Sequence, residues 1–156
     1  KANRERENFI SVEVKVPVVE AVELELALNK KSIVGTLVNI GNPHLLFHGD
    51  NKLTKEEFVK IAPTLSRGNT QTNGAVNVSF FWRESADCYR AIVCERGVGF
   101  TKFCGSAALA FWTINSFEKN ISISMPGGKT ELSYSGDGFV KILASVEEIC
   151  PEKTFL

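Results

Sequence analysis

The sequence predicts an α+β fold, a strongly curved mixed β-sheet wrapped around a central buried helix. Three observations predict it. Most of the chain divides into short segments in which apolar and polar residues alternate, the period of strands with one buried face. Residues 105–117 break that pattern with Ala107, Ala108, Leu109, Ala110, Phe111, Trp112 and Ile114, apolar all round, and a helix of that kind is buried on every side. Third, 156 residues that are 44% hydrophobic and 23% charged suit one domain with a full core and exclude a disordered tail.

Taken in order, residues 1–8 are highly charged and read as a connector or frayed terminus, leaving 9–156 as one domain. Ile10, Val12, Val14 and Val16 alternate with polar residues in a first strand, which Pro17 ends. Val22, Leu24, Leu26 and Leu28 alternate with glutamates in a second. Asn29-Lys30-Lys31-Ser32 is a turn, and residues 33–40 form a third strand. Gly41-Asn42-Pro43 breaks it before a short strand at Leu45, Leu46 and Phe47. Residues 54–65 read as a helix, with Thr54 and Glu57 in a capping-box pattern and Pro63 expected to stop or kink it. Residues 66–74 are a polar loop. Residues 76–83 and 88–95 read as two strands of a hairpin. After the apolar helix come short strands at 121–125, 130–134 and 139–143, with turns at Gly127-Gly128 and Gly136-Asp137-Gly138.

Eighteen Lys and Arg balance eighteen Asp and Glu, so the basic excess expected of a nucleic-acid or membrane-surface protein is missing. No apolar run reaches the ~18 residues of a membrane span, and no basic-plus-apolar signal opens the chain. The expectation is a cytoplasmic protein. The chain opens at Lys1 and its one Met is Met125, which reads as a fragment, a processed product or a trimmed form. The four cysteines, at 88, 94, 104 and 150, lack Cys-x-x-Cys spacing, so reduced thiols are expected rather than a metal site or disulfides. The sequons Asn77-Val-Ser79 and Asn120-Ile-Ser122 read as chance matches. Gly127-Gly-Lys-Thr130 is not a phosphate loop, because position 123 is Ile where Gly is required, and Gly97-Val-Gly99 lacks the third glycine of a dinucleotide fingerprint.

The chemistry concentrates before the apolar helix. Cys104 sits at its N-terminus, after a loop holding Gly97 and Gly99. A helix N-terminus carries about +0.5 charge and unpaired N–H groups, which can lower the thiol pKa below its free value of ~8.5, or else Cys104 is simply a small buried hydrophobe, the usual place of a free cysteine. The N–H groups of Gly105 and Ser106 can hold a carboxylate. Glu95 and Arg96 close a strand and suit the ammonium and carboxylate of a zwitterion, or simply form a surface ion pair. Asn42 and His44 flank the turn at Pro43, as chain reversal or as hydrogen-bonding and thiol-tuning groups. Asn77 falls inside a strand, where Asn is depleted, so it needs a partner. His48 is assigned to the surface.

Together these segments resemble the C-terminal half of the diaminopimelate epimerase family. The ordered matches are Val38-Asn-Ile-Gly-Asn-Pro-His44, Asn77-Val-Ser-Phe80, Glu95-Arg-Gly-Val-Gly99, Cys104-Gly-Ser106, Pro126-Gly-Gly128 and Asp137-Gly-Phe-Val140. The resemblance implies two similar halves, each a curved sheet around a helix, and an active site in the cleft between them that works without metal or other cofactor. It implies that Cys104 is the catalytic thiol of this half and that Gly105 and Ser106 bind the substrate carboxylate. Glu95 and Arg96 would bind the substrate, Glu95 and His44 would adjust the thiols, and Asn42 and Asn77 would hold the non-reacting end of diaminopimelate. One cysteine would remove the α-proton and another deliver one to the opposite face. The first-half cysteine, in its Cys-Gly-Asn-Gly context, is absent. The chain alone is therefore expected to be inactive and to be completed by an N-terminal half, with a homodimer as one form of assembly. Phe100 stands where the family carries a charged residue, and Ile142-Leu-Ala-Ser-Val146 replaces its usual late motif, so another substrate stays open. A racemase for another amino acid and a non-catalytic amino-acid-binding domain remain as alternatives.

Overall fold

The alternating segments become strands of a mixed sheet. A computed structural model of the chain describes residues 2–6, 8–28, 31–49, 53–115 and 119–145. Cys150, Val146, Phe117 and the Asn29-Lys30 half of the expected turn lie outside them. The elements are β1 (Ala2–Arg6), β2 (Phe9–Lys15), β3 (Glu20–Leu28), β4 (Lys31–Asn39), β5 (Pro43–His48), α1 (Lys55–Leu65), β6 (Asn77–Ser85), β7 (Cys88–Glu95), β8 (Gly99–Thr101), α2 (Gly105–Asn115), β9 (Ile121–Met125), β10 (Gly128–Gly136) and β11 (Phe139–Ser145).

The strand order is β1-β2-β11-β10-β9-β7-β6-β5-β4-β3, with β8 beside β7. The pairs β5–β6 and β7–β9 are parallel, and the rest are antiparallel. One edge of β7 is shared. Its first residues, Cys88 to Arg90, pair with β9, and Val93 to Glu95 pair with β8. This division leaves room for the chain to leave β7, double back for three residues and enter α2.

Period-two alternation assigns the two faces of the central strands. On one face Leu46, Phe81, Ala91 and Val93 pack with Ala107, Ala108, Phe111 and Trp112 of α2. The same core takes Ile121, Ile123, Leu132 and Val140 from β9, β10 and β11. On the other face Leu45, Phe47, Val78, Phe80 and Cys94 pack with Phe58 and Ala62 of α1. Helix α1 is amphipathic and covers one face. Helix α2 is apolar around its circumference because strands from β4 to β11 contribute to its surroundings.

The α1 capping box forms as expected. Thr54 Oγ1 accepts the Glu57 N–H at 3.2 Å, and Glu57 Oε2 accepts the Thr54 N–H at 2.9 Å. Lys31 Nζ also donates to both Glu57 oxygens, at 2.6 and 2.7 Å, tying the start of β4 to the start of α1. Pro63 lies inside the last turn, and the helix ends two residues beyond it.

Two local expectations change. Residues 2–6, expected as frayed connector, form an edge strand against β2. The backbone of this segment finds partners along β2. The segment before Cys104, expected as a loop, contains β8. The break expected at Gly41-Asn42-Pro43 is present, since β4 ends at Asn39 and Pro43 is the first residue of β5, a strand position where a missing N–H costs little. Among the described residues, no helix is long and apolar enough to cross a membrane.

Candidate active site

Three strands deliver polar residues to one end of α2. His44 is the second residue of β5 and pairs in parallel register with Asn77, the first residue of β6. Glu95 is the last residue of β7, one step beyond Cys94, which pairs with Val78. Along the same face His44 is followed by Leu46, Asn77 by Ser79 and Phe81, and Glu95 is preceded by Val93, all turned toward α2. The cluster of His44, Asn77, Glu95 and Cys104 therefore comes from non-adjacent sequence through strand pairing.

Cys104 is the N-cap of α2. Its carbonyl accepts the Ala108 N–H at 3.3 Å, and its thiol sulfur takes a hydrogen bond from the Ala107 N–H, as a capping side chain does. Cys104 Sγ also lies 3.4 Å from Ser106 Oγ. The N–H groups of Gly105 and Ser106 fall in the first turn, where no intrahelical acceptor exists. The approach to the helix is pinned from below. The Gly127 N–H donates to the Lys102 carbonyl at 2.7 Å, and the Cys104 N–H to Met125 Sδ at 3.4 Å. A Cβ at Gly127 would stand 3.0 Å from the Lys102 carbonyl oxygen and 3.1 Å from its carbon, so the Pro126-Gly-Gly128 motif lets two backbone segments meet under the thiol.

The electrostatics correct one expectation. The thiol pKa is raised, not lowered. Burial of Cys104, only 5% exposed, is the largest cause and disfavours the thiolate. Hydrogen bonds from Ser106 and from the Ala107 N–H pull the other way, and the Glu95 carboxylate reinforces burial through its charge and its hydrogen bond with the thiol. The helix terminus supplies the expected assistance, and desolvation outweighs it.

His44 is fully buried, and its pKa falls to about 4, first through burial and then through the charge of Arg96. Neither ring nitrogen has a hydrogen-bond partner among the described residues, nor does the buried Ser79 Oγ on the neighbouring strand. Asn77 has the partner its position demands, since its Oδ1 accepts the backbone N–H of Arg96 at 3.0 Å and fixes the turn after β7. Its amide NH2 remains as the donor. The Glu95 carboxylate accepts from Thr101 Oγ1 at 2.6 Å. Arg96 is exposed at the start of that turn. Asn42 precedes β5 at the same end of the sheet, half-buried, with its carbonyl accepting the Ile40 N–H at 3.3 Å. No hydrogen bond ties its side chain to the cluster among the described residues.

One further expectation changes, for His48. Phe100, in the segment before the thiol, does not face it. It pairs with Cys94 on the α1 side of the sheet, and its ring meets Phe58 edge-on at 6.4 Å. His48, assigned to the surface, is half-buried with its ring 5.4 Å from that of Phe111. Thr101 and Met125 also neighbour the site, and the sequence reading did not single them out. The Gly99-Phe-Thr101 alternation carries a signal for Thr101, but only once β8 is recognised. The sulfur contact of Met125 leaves no trace in the sequence.

No family model matches the chain. Among curated proteins it is similar to the diaminopimelate epimerase of Bacillus licheniformis, 27% identical over 143 residues that cover 88% of this chain and 50% of that protein. The diaminopimelate epimerase of Listeria monocytogenes serotype 4a is 32% identical over 127 residues, covering 77% of this chain and 36% of that protein. That of Bartonella tribocorum is 27% identical over 155 residues, covering 88% and 53%. The chain thus spans about half the length of the curated relatives it matches. A thiol capping a buried helix stands among motif residues that three strands bring together, and over about half their length diaminopimelate epimerases are what this chain resembles.

Proposed function

We propose that this chain is the C-terminal half of a cofactor-independent epimerase that interconverts LL- and meso-diaminopimelate, precursors of lysine and peptidoglycan. The observation that carries the reading is Cys104 at the α2 N-cap with the Glu95 carboxylate against its thiol. In this reading the curved sheet wraps α2 and presents its N-terminus to the substrate in the cytoplasm, and a second half completes the cleft.

The roles follow from the donor and acceptor inventory. The first-turn N–H groups of Gly105 and Ser106 hold the α-carboxylate, where partial positive charge also stabilises the carbanion. Glu95 and Arg96 match the ammonium and carboxylate of the amino acid. Asn42 and the amide NH2 of Asn77 hold the distal end. His44, neutral at working pH, offers its ring nitrogens to the substrate or to the completing half.

Burial and Glu95 favour the protonated thiol, so Cys104 suits the acid's part. Its S–H bond breaks as a C–H bond forms at the α-carbon, leaving a thiolate held by Ser106 and the Ala107 N–H. The thiol of the other half removes the original α-proton from the opposite face, and the reverse reaction exchanges the roles. A second reading, a non-catalytic amino-acid-binding domain, draws on the same raised thiol pKa, because an inert cysteine is also protonated.

The test is α-hydrogen exchange with LL-diaminopimelate in heavy water, followed by mass spectrometry. The chain alone should incorporate no deuterium. Added to a separately produced N-terminal half of a relative, it should restore incorporation, and Cys104→Ala should abolish it. Exchange by the chain alone would overturn the half-site reading. Exchange that persists in Cys104→Ala would remove Cys104 from the chemistry. Binding of diaminopimelate to the reconstituted pair without any exchange would favour the binding domain.

A further inference from the structure

Glu95 has three rotatable side-chain bonds and stands at the last position of β7, where free rotation would turn its carboxylate to solvent. Thr101 prevents this. Its cross-strand partner is Val93, whose side chain lies in the α2-facing core, so Thr101 stands on the same face as Glu95 and opposite Phe100. A carboxylate can only accept, so the hydroxyl donates, and at 2.6 Å the bond has the length of a charge-assisted contact. The donor end is rigid. β8 is held to β7 at three consecutive pairings, and a β-branched residue has few χ1 options. The short strand that the sequence hid thus has a use beyond returning the chain to α2, because it aims a hydroxyl at the carboxylate beside the thiol.

We propose that Thr101 is a positioning residue of this site: its hydroxyl fixes one oxygen of Glu95 so that the carboxylate faces the Cys104 thiol. The inference rests on the reading of Cys104 and Glu95 as the proton-transfer pair. It assigns the pair's geometry to β8 and makes the thiol's ionisation depend on a neutral residue that does not touch it. Around the thiol stand Glu95 from β7, the Ser106 hydroxyl and Ala107 N–H from α2, and Met125 from β9. His44 on β5 is neutral above a pH of about 4, and Arg96 stands exposed at the turn after β7. Only Glu95 in this set raises the thiol pKa by charge, so loosening it has a defined sign.

The test measures the rate of iodoacetamide labelling of Cys104 against pH in the full chain, read by peptide mass spectrometry so that the other cysteines do not contribute. Thr101→Val keeps the shape and removes the hydroxyl. It should move the labelling midpoint to lower pH by about half a unit, in the direction of Glu95→Gln, while Thr101→Ser keeps the wild-type midpoint. If Thr101→Val stays at the wild-type midpoint while Glu95→Gln falls, the positioning role is overturned and the Glu95–Cys104 pair stands. If Glu95→Gln also leaves the midpoint unchanged, the pair itself is overturned. A Thr101→Ser midpoint that falls with Thr101→Val overturns the role of the hydroxyl. Circular dichroism checks folding, and Thr101→Ala replaces Thr101→Val if the valine variant does not fold.

Discussion

His44 shows how a buried side chain carries a pH dependence that its sequence neighbourhood conceals. In the unfolded chain it binds a proton near pH 6.5, and in the folded chain only near 4. Between these values the unfolded state holds more protons, so stability is full above about 6.5 and is lost as pH falls toward about 4. The difference amounts to about 3 kcal/mol. Urea unfolding at neutral pH and near pH 4.5 should show this loss, and His44→Gln should flatten it. The same slope in His44→Gln would place the titrating group elsewhere. Cys104 tests the opposite sign. Its labelling midpoint should lie above the ~8.5 of a free cysteine, because burial and Glu95 both favour the thiol. A midpoint below that value would mean that the α2 terminus dominates after all. The sequence reaches Cys104, Glu95, His44 and Asn77 through the ordered family motifs, since local pattern by itself leaves Cys104, Glu95 and His44 with a bland reading as well. The direction of the thiol shift is not legible there, because desolvation depends on neighbours that β9 and β7 supply.

Each element carries its own signal to the extent that its determinants are local. Thr54 and Glu57 are three residues apart, and their reciprocal bonds form as the spacing predicts. Thr54→Ala should cost about 1 kcal/mol, read as a lower melting temperature, with no effect on Cys104 labelling. Gly127 is the contrasting case. It lies in the turn between β9 and β10, yet its constraint comes from Lys102, across the fold. Gly127→Ala should push the Lys102 backbone away, break the Gly127–Lys102 bond and displace Cys104. The expected cost is about 1–3 kcal/mol together with a changed labelling profile. Unchanged stability and labelling would show that the turn yields without moving the thiol. β8 is hidden in the sequence for a related reason. Its three residues are too few to show a period, and they become a strand only because β7 offers them the free part of an edge.

At the scale of the molecule, α2 shares one core with residues from β4 to β11. Trp112 is fully buried, and its indole N–H donates to the Lys119 carbonyl at 2.8 Å. Trp112→Ala should cost about 3–5 kcal/mol and, because strands from β4 to β11 share this core, should lower one cooperative transition rather than melt a part of the chain. Two separate transitions in thermal unfolding would contradict a single shared core. Local pattern was enough for the class of fold, the strand-rich layout and the two helices, because alternation, capping and an all-round apolar helix are written within a few residues of chain. Long-range packing was needed to set β2 against β11, to divide the edge of β7 between β8 and β9, to turn Phe100 away from the thiol and to turn Thr101 toward Glu95. Those outcomes depend on pairing between distant segments and on the loss of water around buried groups. Neither is a property of a local window of sequence, and together they set both the geometry of the site and the charge of its thiol.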